Sequence, residues 1–327
     1  MRPNGNLSKK TSQFAVILPT LNASRCWAAW LRGFLTQTTL PNKVLVIDSS
    51  SDDNTVALAQ SAGFETRVIQ RSQFNHGGTR QLALDLLPSF DLLIYLTQDA
   101  VLAKADALER ILAAFGNCEV GAAYGRQLPS PGSGPIEAHS RIFNYPAISR
   151  VKSLEDRATL GLKTFFLSNS FSCYRRTALE TVGGFPRDII MAEDAYVAGK
   201  MLLRGWKLAY VAEAMAYHSH DYSYVQEFKR YFDTGVLHAR NRWLVEEFGT
   251  ATGEGKRFVF SELTSLWPRH LWLIPSALIR TCLKFTGYRL GLKESSLAAA
   301  FKHRLSMHEN YWRASSSWNE FSQTEKT

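Results

Sequence analysis

The sequence predicts an α/β domain on a mostly parallel, doubly wound sheet, followed by a helical extension. Three observations carry this. Short apolar runs recur between residues 14 and 97 with helical segments between them, the pattern of strands buried on both faces. A polar loop follows most of these runs. From about Ser223 the pattern stops, and aromatic and basic residues mix at helical spacing.

Taken in order, FAVIL (residues 14–18) is all apolar and suits a buried strand. PTLNAS follows as a loop, and Ser24 can cap a helix carrying Trp27, Trp30, Leu31 and Phe34. KVLVID (43–48) is a second strand, and a polar loop leads to a helix from about Asp53 to Ala62. FETRVIQ is a third strand, NHGGTRQLALDLL starts a third helix, DLLIYLT is a fourth strand and ADALERILAAF a further helix. Right-handed crossovers gather the strand C-terminal ends at one edge, where ligands bind in open sheets. Residues 127–160 break the pattern, with LPSPGSGPIEAHS read as a long Pro/Gly/Ser loop. TFFLSNSFSCYRR resumes as a strand, then come a short helix, GGFP, the helical EDAYVAGKMLLRG, and two strands, WKLAYV and AMAYHSH. The expected divisions are a flexible tail at 1–12, an α/β domain at 13–222, a helical region at 223–313 and a flexible tail at 314–327.

The chain has 327 residues and a net charge of +9, which favours an anionic partner: nucleotide, nucleic acid or acidic membrane face. No RNA- or DNA-binding motif accompanies the charge, so nucleic acid is not expected. Cys26, Cys118, Cys173 and Cys282 are scattered without a CxxC pair, which argues against zinc and for a reducing compartment. MRPNGNLSKKTSQ has no apolar core, so no signal peptide is expected. The nearest approach to a spanning helix, LWLIPSALIRTCLKF, is interrupted by Pro275 and Arg280.

Asp48 ends the second strand, Asp99 follows the fourth, and Glu193–Asp194 opens a helix. Asp52 and Asp53 read as caps or solvated loop residues. Asp48 and Asp99 should face the crevice, where carboxylates need a cation, either a divalent metal or a basic side chain. His218 and His220 follow the last strand, and His218 is a candidate ligand. In FNHGGTRQLA the glycines and the helix N-terminus could cradle an anion that Arg80 pairs with. The same residues also fit an ordinary glycine turn capped by Asn75.

VILPTLN, VIDSSSDDNT, FNHGGTRQLA, YLTQDA, GGFPRDIIMAEDAYVAGKMLLRGWKLAYV and YHSHDYS occur in that order over about 14–223. Together they resemble the family 2 inverting glycosyltransferases of GT-A fold. FNHGGTR, TQDA, MAEDA and HSHDYS resemble its bacterial rhamnosyltransferase subgroup. The resemblance implies that Pro19 and Thr20 line a nucleotide pocket and that Asp48 receives the base. It puts Arg80 and Gly78 beside the sugar–pyrophosphate, and makes Asp99 the surviving acid of a DxD-type metal motif. His218 matches a histidine that helps bind metal or diphosphate, and Asp194 is the general base with Glu193 beside it. Gln98, also at the donor site, stands where many relatives carry another acid. Mg²⁺, which keeps waters and substrate phosphates in its shell, or Mn²⁺, which tolerates histidine, is the implied cofactor.

The implied donor is dTDP-L-rhamnose or another nucleotide sugar, UDP- or GDP-linked. The implied acceptor is a saccharide or lipid-linked saccharide of the bacterial envelope, such as lipopolysaccharide core or an O-antigen precursor. Residues 256–313 interleave Lys and Arg with Trp267, Trp272, Phe285 and Tyr288. That mixture suits an anionic membrane surface, here the cytoplasmic face of the inner membrane, or a helical appendage whose basic face is solvated. Two rivals remain. A nucleotidyltransferase would carry a Gly/Arg-rich loop after the first strand, which PTLNASRC lacks. A silent binding protein or membrane scaffold is disfavoured by the joint retention of Asp48, Asp99, Asp194 and His218.

Overall fold

A computed structural model describes residues 13–249 and 253–313. The tails expected at 1–12 and 314–327 lie outside the described residues. Among the described residues nine strands form one sheet: β1 (Phe14–Thr20), β2 (Lys43–Asp48), β3 (Glu65–Val68), β4 (Leu92–Leu96), β5 (Val101–Leu102), β6 (Val120–Leu128), β7 (Arg150–Lys152), β8 (Phe171–Arg175) and β9 (Lys207–Tyr217). The order is β3-β2-β1-β4-β8-β6-β9-β5, with β7 against β9.

The doubly wound half is as the pattern predicts. β1, β2, β3 and β4 pair in parallel, so their C-terminal ends share one edge. β1 alternates, with Ala15 and Ile17 in the core on one face of the sheet and Phe14, Val16 and Leu18 in the core on the other. The helix Ser24–Leu35 closes the second face with Trp27, Trp30 and Phe34, and the rings of Trp30 and Phe34 stack 5.1 Å apart. Ser24 does not cap that helix. Its backbone N–H donates to Asp53 Oδ2 at 3.0 Å, so the cap comes from the loop after β2.

Beyond β4 the sheet turns mixed. β8 is antiparallel to both β4 and β6, which leaves β6 and β9 running with β4. β8 therefore begins at the edge where β4, β6 and β9 end. The two expected strands WKLAYV and AMAYHSH are one strand, β9. Gly125 pairs with Val211 and Arg126 with Met215, so Ala212–Ala214 bulge out of the ladder. The segment 127–160 is not a single loop: it carries the helix Pro135–Asn144 and β7. The sequence pattern predicts no strand at 120–128, where β6 runs through the middle of the sheet.

Within the helical region two helices meet through close backbone contact. Tyr224–Arg240, opened by a Ser223/Gln226 capping box, lies against Ile274–Gly291. A Cβ on Gly291 would come within 2.0 Å of the Phe232 carbonyl, so only glycine permits the approach. No helix among the described residues is long and apolar enough to cross a membrane.

Asp233, fully buried on the Tyr224–Arg240 helix, accepts the Met307 N–H at 2.8 Å. Burial pushes its carboxyl up to about 6. The folded state thus favours the protonated form, and this contribution is complete below the unfolded value and lost as pH rises through about 6. Asp233→Asn keeps an oxygen for Met307 and removes the charge. Its melting temperature should exceed that of the native chain at about pH 8, with the gap closing in acid. A constant gap across pH would remove this account.

Candidate active site

Asp99, in the turn after β4, meets two histidines from the end of β9. His218 Nε2 lies 3.4 Å from Asp99 Oδ1, and His220 Nδ1 lies 3.7 Å from Oδ2. Burial alone would raise the Asp99 carboxyl. Hydrogen bonding and charge from His218, with Thr97 and His220, outweigh it and hold the group well below the usual carboxylate range. Burial, then the neighbouring His218, takes His220 down to about 4, so its ring is neutral near pH 7.

The His218 tautomer is assigned by its neighbours. Gln127 Oε1 accepts from Arg141 Nη1 at 2.6 Å, and His218 Nδ1 sits 3.0 Å from the same oxygen. That oxygen can only accept, so Nδ1 carries a proton and Nε2 is the ring nitrogen that faces Asp99, either donating a proton to it or offering a lone pair to a cation that takes the proton's place. At 3.4 Å the two atoms need a proton or a cation between them. The donor atoms of Asp99, His218 and His220 lie within 4.8 Å of one another. One carboxylate and two imidazoles suit a borderline divalent ion such as Mn²⁺, so these residues fit the metal that the resemblance implies.

Glu193 and Asp194 begin the helix Glu193–Leu203. The residue before them, Ala192, adopts φ 57° and ψ 41°, a left-handed conformation costly for alanine, and this aims the two acids. Glu193 Oε1 pairs with Arg80 Nη1 at 2.9 Å, with side chains only 6% and 7% exposed. Glu193 also accepts from Asn169 Nδ2 at 2.9 Å. Burial works against its charge, but Arg80, His76 and Asn169 hold the carboxyl below its ordinary value. Asp194 accepts the backbone N–H of Asn169 at 3.0 Å and of Ala195 at 2.8 Å. Burial, reinforced by the charge of Glu193, raises it to about 6. Two adjacent acids are thereby driven apart: one stays ionised, and the other is poised to exchange a proton near neutrality.

Arg80 therefore faces inward onto Glu193, and its Nη1 also donates to the His76 carbonyl at 3.0 Å. The glycines of FNHGG serve packing and capping. A Cβ on Gly77 would collide with the Pro186 carbonyl, and the Gly78 N–H is capped by Asn75 Oδ1 at 2.8 Å. Gly78 is not part of the cavity wall described below.

Thr20, Asp48 and Gln98 form a neighbouring cluster at the ends of β1, β2 and β4. Asp48 is fully buried and accepts from Thr20 Oγ1 at 2.8 Å, from the Ser51 N–H at 2.8 Å and from Ser51 Oγ at 2.6 Å. Pro19 stands beside Thr20, paired with Ile47 across the ladder. Gln98 clips the loop after β1: its Oε1 accepts the Leu21 N–H at 2.8 Å and its Nε2 donates to the Leu21 carbonyl at 3.1 Å. An acid at 98 could make only the first of these bonds.

Arg80, Asp99, Glu193, Asp194, His218 and His220 all line one cavity of about 890 Å³. The helical region supplies part of the remaining wall, including Arg230, Tyr231, Arg280 and His308. The His308 ring meets His76 edge-on at 5.5 Å. Sequence reasoning missed His220 as a ligand, although the two-residue spacing from His218 was the available signal. Gln127 and Asn169 gave no signal, because only the β6–β9 and β8 pairings bring them to this edge.

The chain is 46% identical over 300 residues to the O-antigen chain rhamnosyltransferase WbaN of Salmonella anatum, covering 91% of this chain and 95% of that one. It is 45% identical over 301 residues to RfbN of Salmonella typhimurium, an O-antigen chain rhamnosyltransferase, covering 92% and 96%. Among solved structures it resembles the mannosyltransferase PcManGT from Pyrobaculum calidifontis, in complex with GDP-Man and Mn²⁺ (TM-score 0.54, 17% identity, 95% of this chain and 88% of that one). It also resembles residues 1–349 of S. aureus TarS (TM-score 0.51, 15% identity, 86% and 91%). At such identities these two establish the GT-A fold alone. The model of glycosyl transferase family 2 matches residues 15–183. With that match and nearly half of all positions shared along two full-length relatives, the chain belongs to the family 2 glycosyltransferases.

Proposed function

We propose that this glycosyltransferase moves L-rhamnose from dTDP-L-rhamnose, with inversion, to a lipid-linked saccharide acceptor of the bacterial envelope, an O-antigen precursor. The observation that carries the sugar and the acceptor class is the 46% and 45% identity to two O-antigen chain rhamnosyltransferases over more than nine-tenths of the chain. The reaction takes place in the cavity that Asp194 shares with Asp99, His218 and His220. Asp194 accepts the proton of the acceptor hydroxyl as its oxygen attacks the anomeric carbon, and the nucleoside diphosphate leaves from the other face. Glu193 stays ionised against Arg80 and keeps Asp194 basic enough for this. Asp99, His218 and His220 would hold Mg²⁺ or Mn²⁺, which when bound offsets the negative charge of the diphosphate. Pro19, Thr20 and Asp48 shape the nucleotide end, and Gln98 fixes the Leu21 loop there. Residues 13–222 act as the catalytic domain, and 223–313 complete the acceptor side at the inner face of the cytoplasmic membrane.

A thermal-shift series tests the donor. dTDP-L-rhamnose should raise the melting temperature more than UDP- or GDP-linked sugars, and further with Mn²⁺ or Mg²⁺, because a ligand that binds only the folded chain stabilises it. A larger shift with a UDP- or GDP-sugar would replace the donor named here.

A further inference from the structure

The helix Ile274–Gly291 is built inside out. Arg280 and Lys284 point inward, at 2.9 Å and 3.6 Å from the Glu227 carboxylate, and with Ser276 they line the cavity. Pro275, Leu278, Ile279, Cys282 and Phe285 are exposed, and their spacing puts them on one outer stripe. Phe285 is 66% exposed. Leading into the helix are Trp267 at 66%, Leu271 at 41% and Trp272 at 70% exposure, and Phe260 is open on the packed helix before them. A helix of a water-facing domain has the reverse arrangement, so this face needs a partner.

The charges around it choose the partner. Lys256, Arg269, Arg289 and Lys293 are exposed and make no ion pair among the described residues. No Asp or Glu occurs from 263 to 293. A second copy of this face would bring like charges together. An anionic bilayer surface satisfies both features, since aromatic and aliphatic side chains enter the headgroup boundary while Lys and Arg meet acidic lipids.

We propose that this face docks the protein on an anionic bilayer, with Leu278, Ile279 and Phe285 entering the interface. The inner side of the same helix lines the cavity, so the acceptor pocket lies about one helix diameter, roughly 10 Å, from the lipid. Delivery of the acceptor from that lipid rests on the proposed transfer reaction; the docking does not.

The test is co-sedimentation of the full chain with vesicles of phosphatidylcholine alone or mixed with phosphatidylglycerol. Binding should require phosphatidylglycerol and weaken with salt. The combined variant Leu278→Ser, Ile279→Ser, Phe285→Ser should bind at least about tenfold less, with an unchanged melting temperature and unchanged turnover on a water-soluble acceptor. Arg289→Glu with Lys293→Glu should remove the preference for acidic lipid. The proposal is overturned if the native chain ignores acidic vesicles or if the triple variant binds equally. It is also overturned if light scattering finds a native dimer that the triple variant dissolves, which assigns the face to a second copy. Failure of the transfer reading would look different: vesicle binding intact, with no nucleotide sugar shifting the melting temperature.

Discussion

Asp194→Asn is expected to lower kcat by a factor of about 10²–10⁴, the usual worth of a positioned general base, while donor affinity holds. Asparagine keeps the shape, and one carboxamide oxygen can still accept the Asn169 or Ala195 N–H. What it loses is the basic electron pair. The pH profile gives an independent reading. The base must be ionised, and its carboxyl is raised to about 6, so activity should fall as pH drops through that value. Glu193→Gln removes the like charge beside Asp194, so the acid limb should move to lower pH. It also strands the buried Arg80, so stability must be followed in parallel. Near-normal turnover of Asp194→Asn would end the assignment, and another group on the cavity wall would have to take the proton.

Asp99→Ala should abolish transfer and remove the effect of Mn²⁺ on dTDP binding, read by calorimetry with and without the metal. It deletes the one carboxylate of the three-residue cluster and leaves two imidazoles with no anionic ligand between them. His220→Ala should weaken metal-supported binding while leaving metal-free nucleotide binding as it was. Gln127→Leu frees the His218 ring to turn or change tautomer, and loss of such a supporting hydrogen bond typically costs 10–100-fold in metal affinity. If Asp99→Ala binds donor equally well in the presence of metal, the cluster is not a metal site.

The parallel half of the fold was legible because strands buried on both faces are written as apolar runs, and β1, β2 and β4 carry them. β6 was not legible. Its alanine and glycine residues pass through the sheet beside bulky neighbours, with Gly125 close against the Phe171 ring and the Ala214 carbonyl. The β9 bulge made one strand look like two. Asn169 is a caution of another kind: nothing local distinguishes it, yet it donates to both acids because β8 enters the sheet in reverse.

By itself the sequence determined which groups are candidates for chemistry and roughly where: acids at strand ends, paired histidines after the last strand, and two acids at a helix start. These are local statements, made by residue type and period. Tertiary structure decided what each group faces. It turned Arg80 inward to Glu193, gave both ends of Gln98 to the Leu21 peptide, joined His220 to Asp99, and put the charges of Ile274–Gly291 inside with its apolar stripe outside. Each of those outcomes depends on a partner tens of residues away, and only strand order and helix rotation bring such partners within bonding distance.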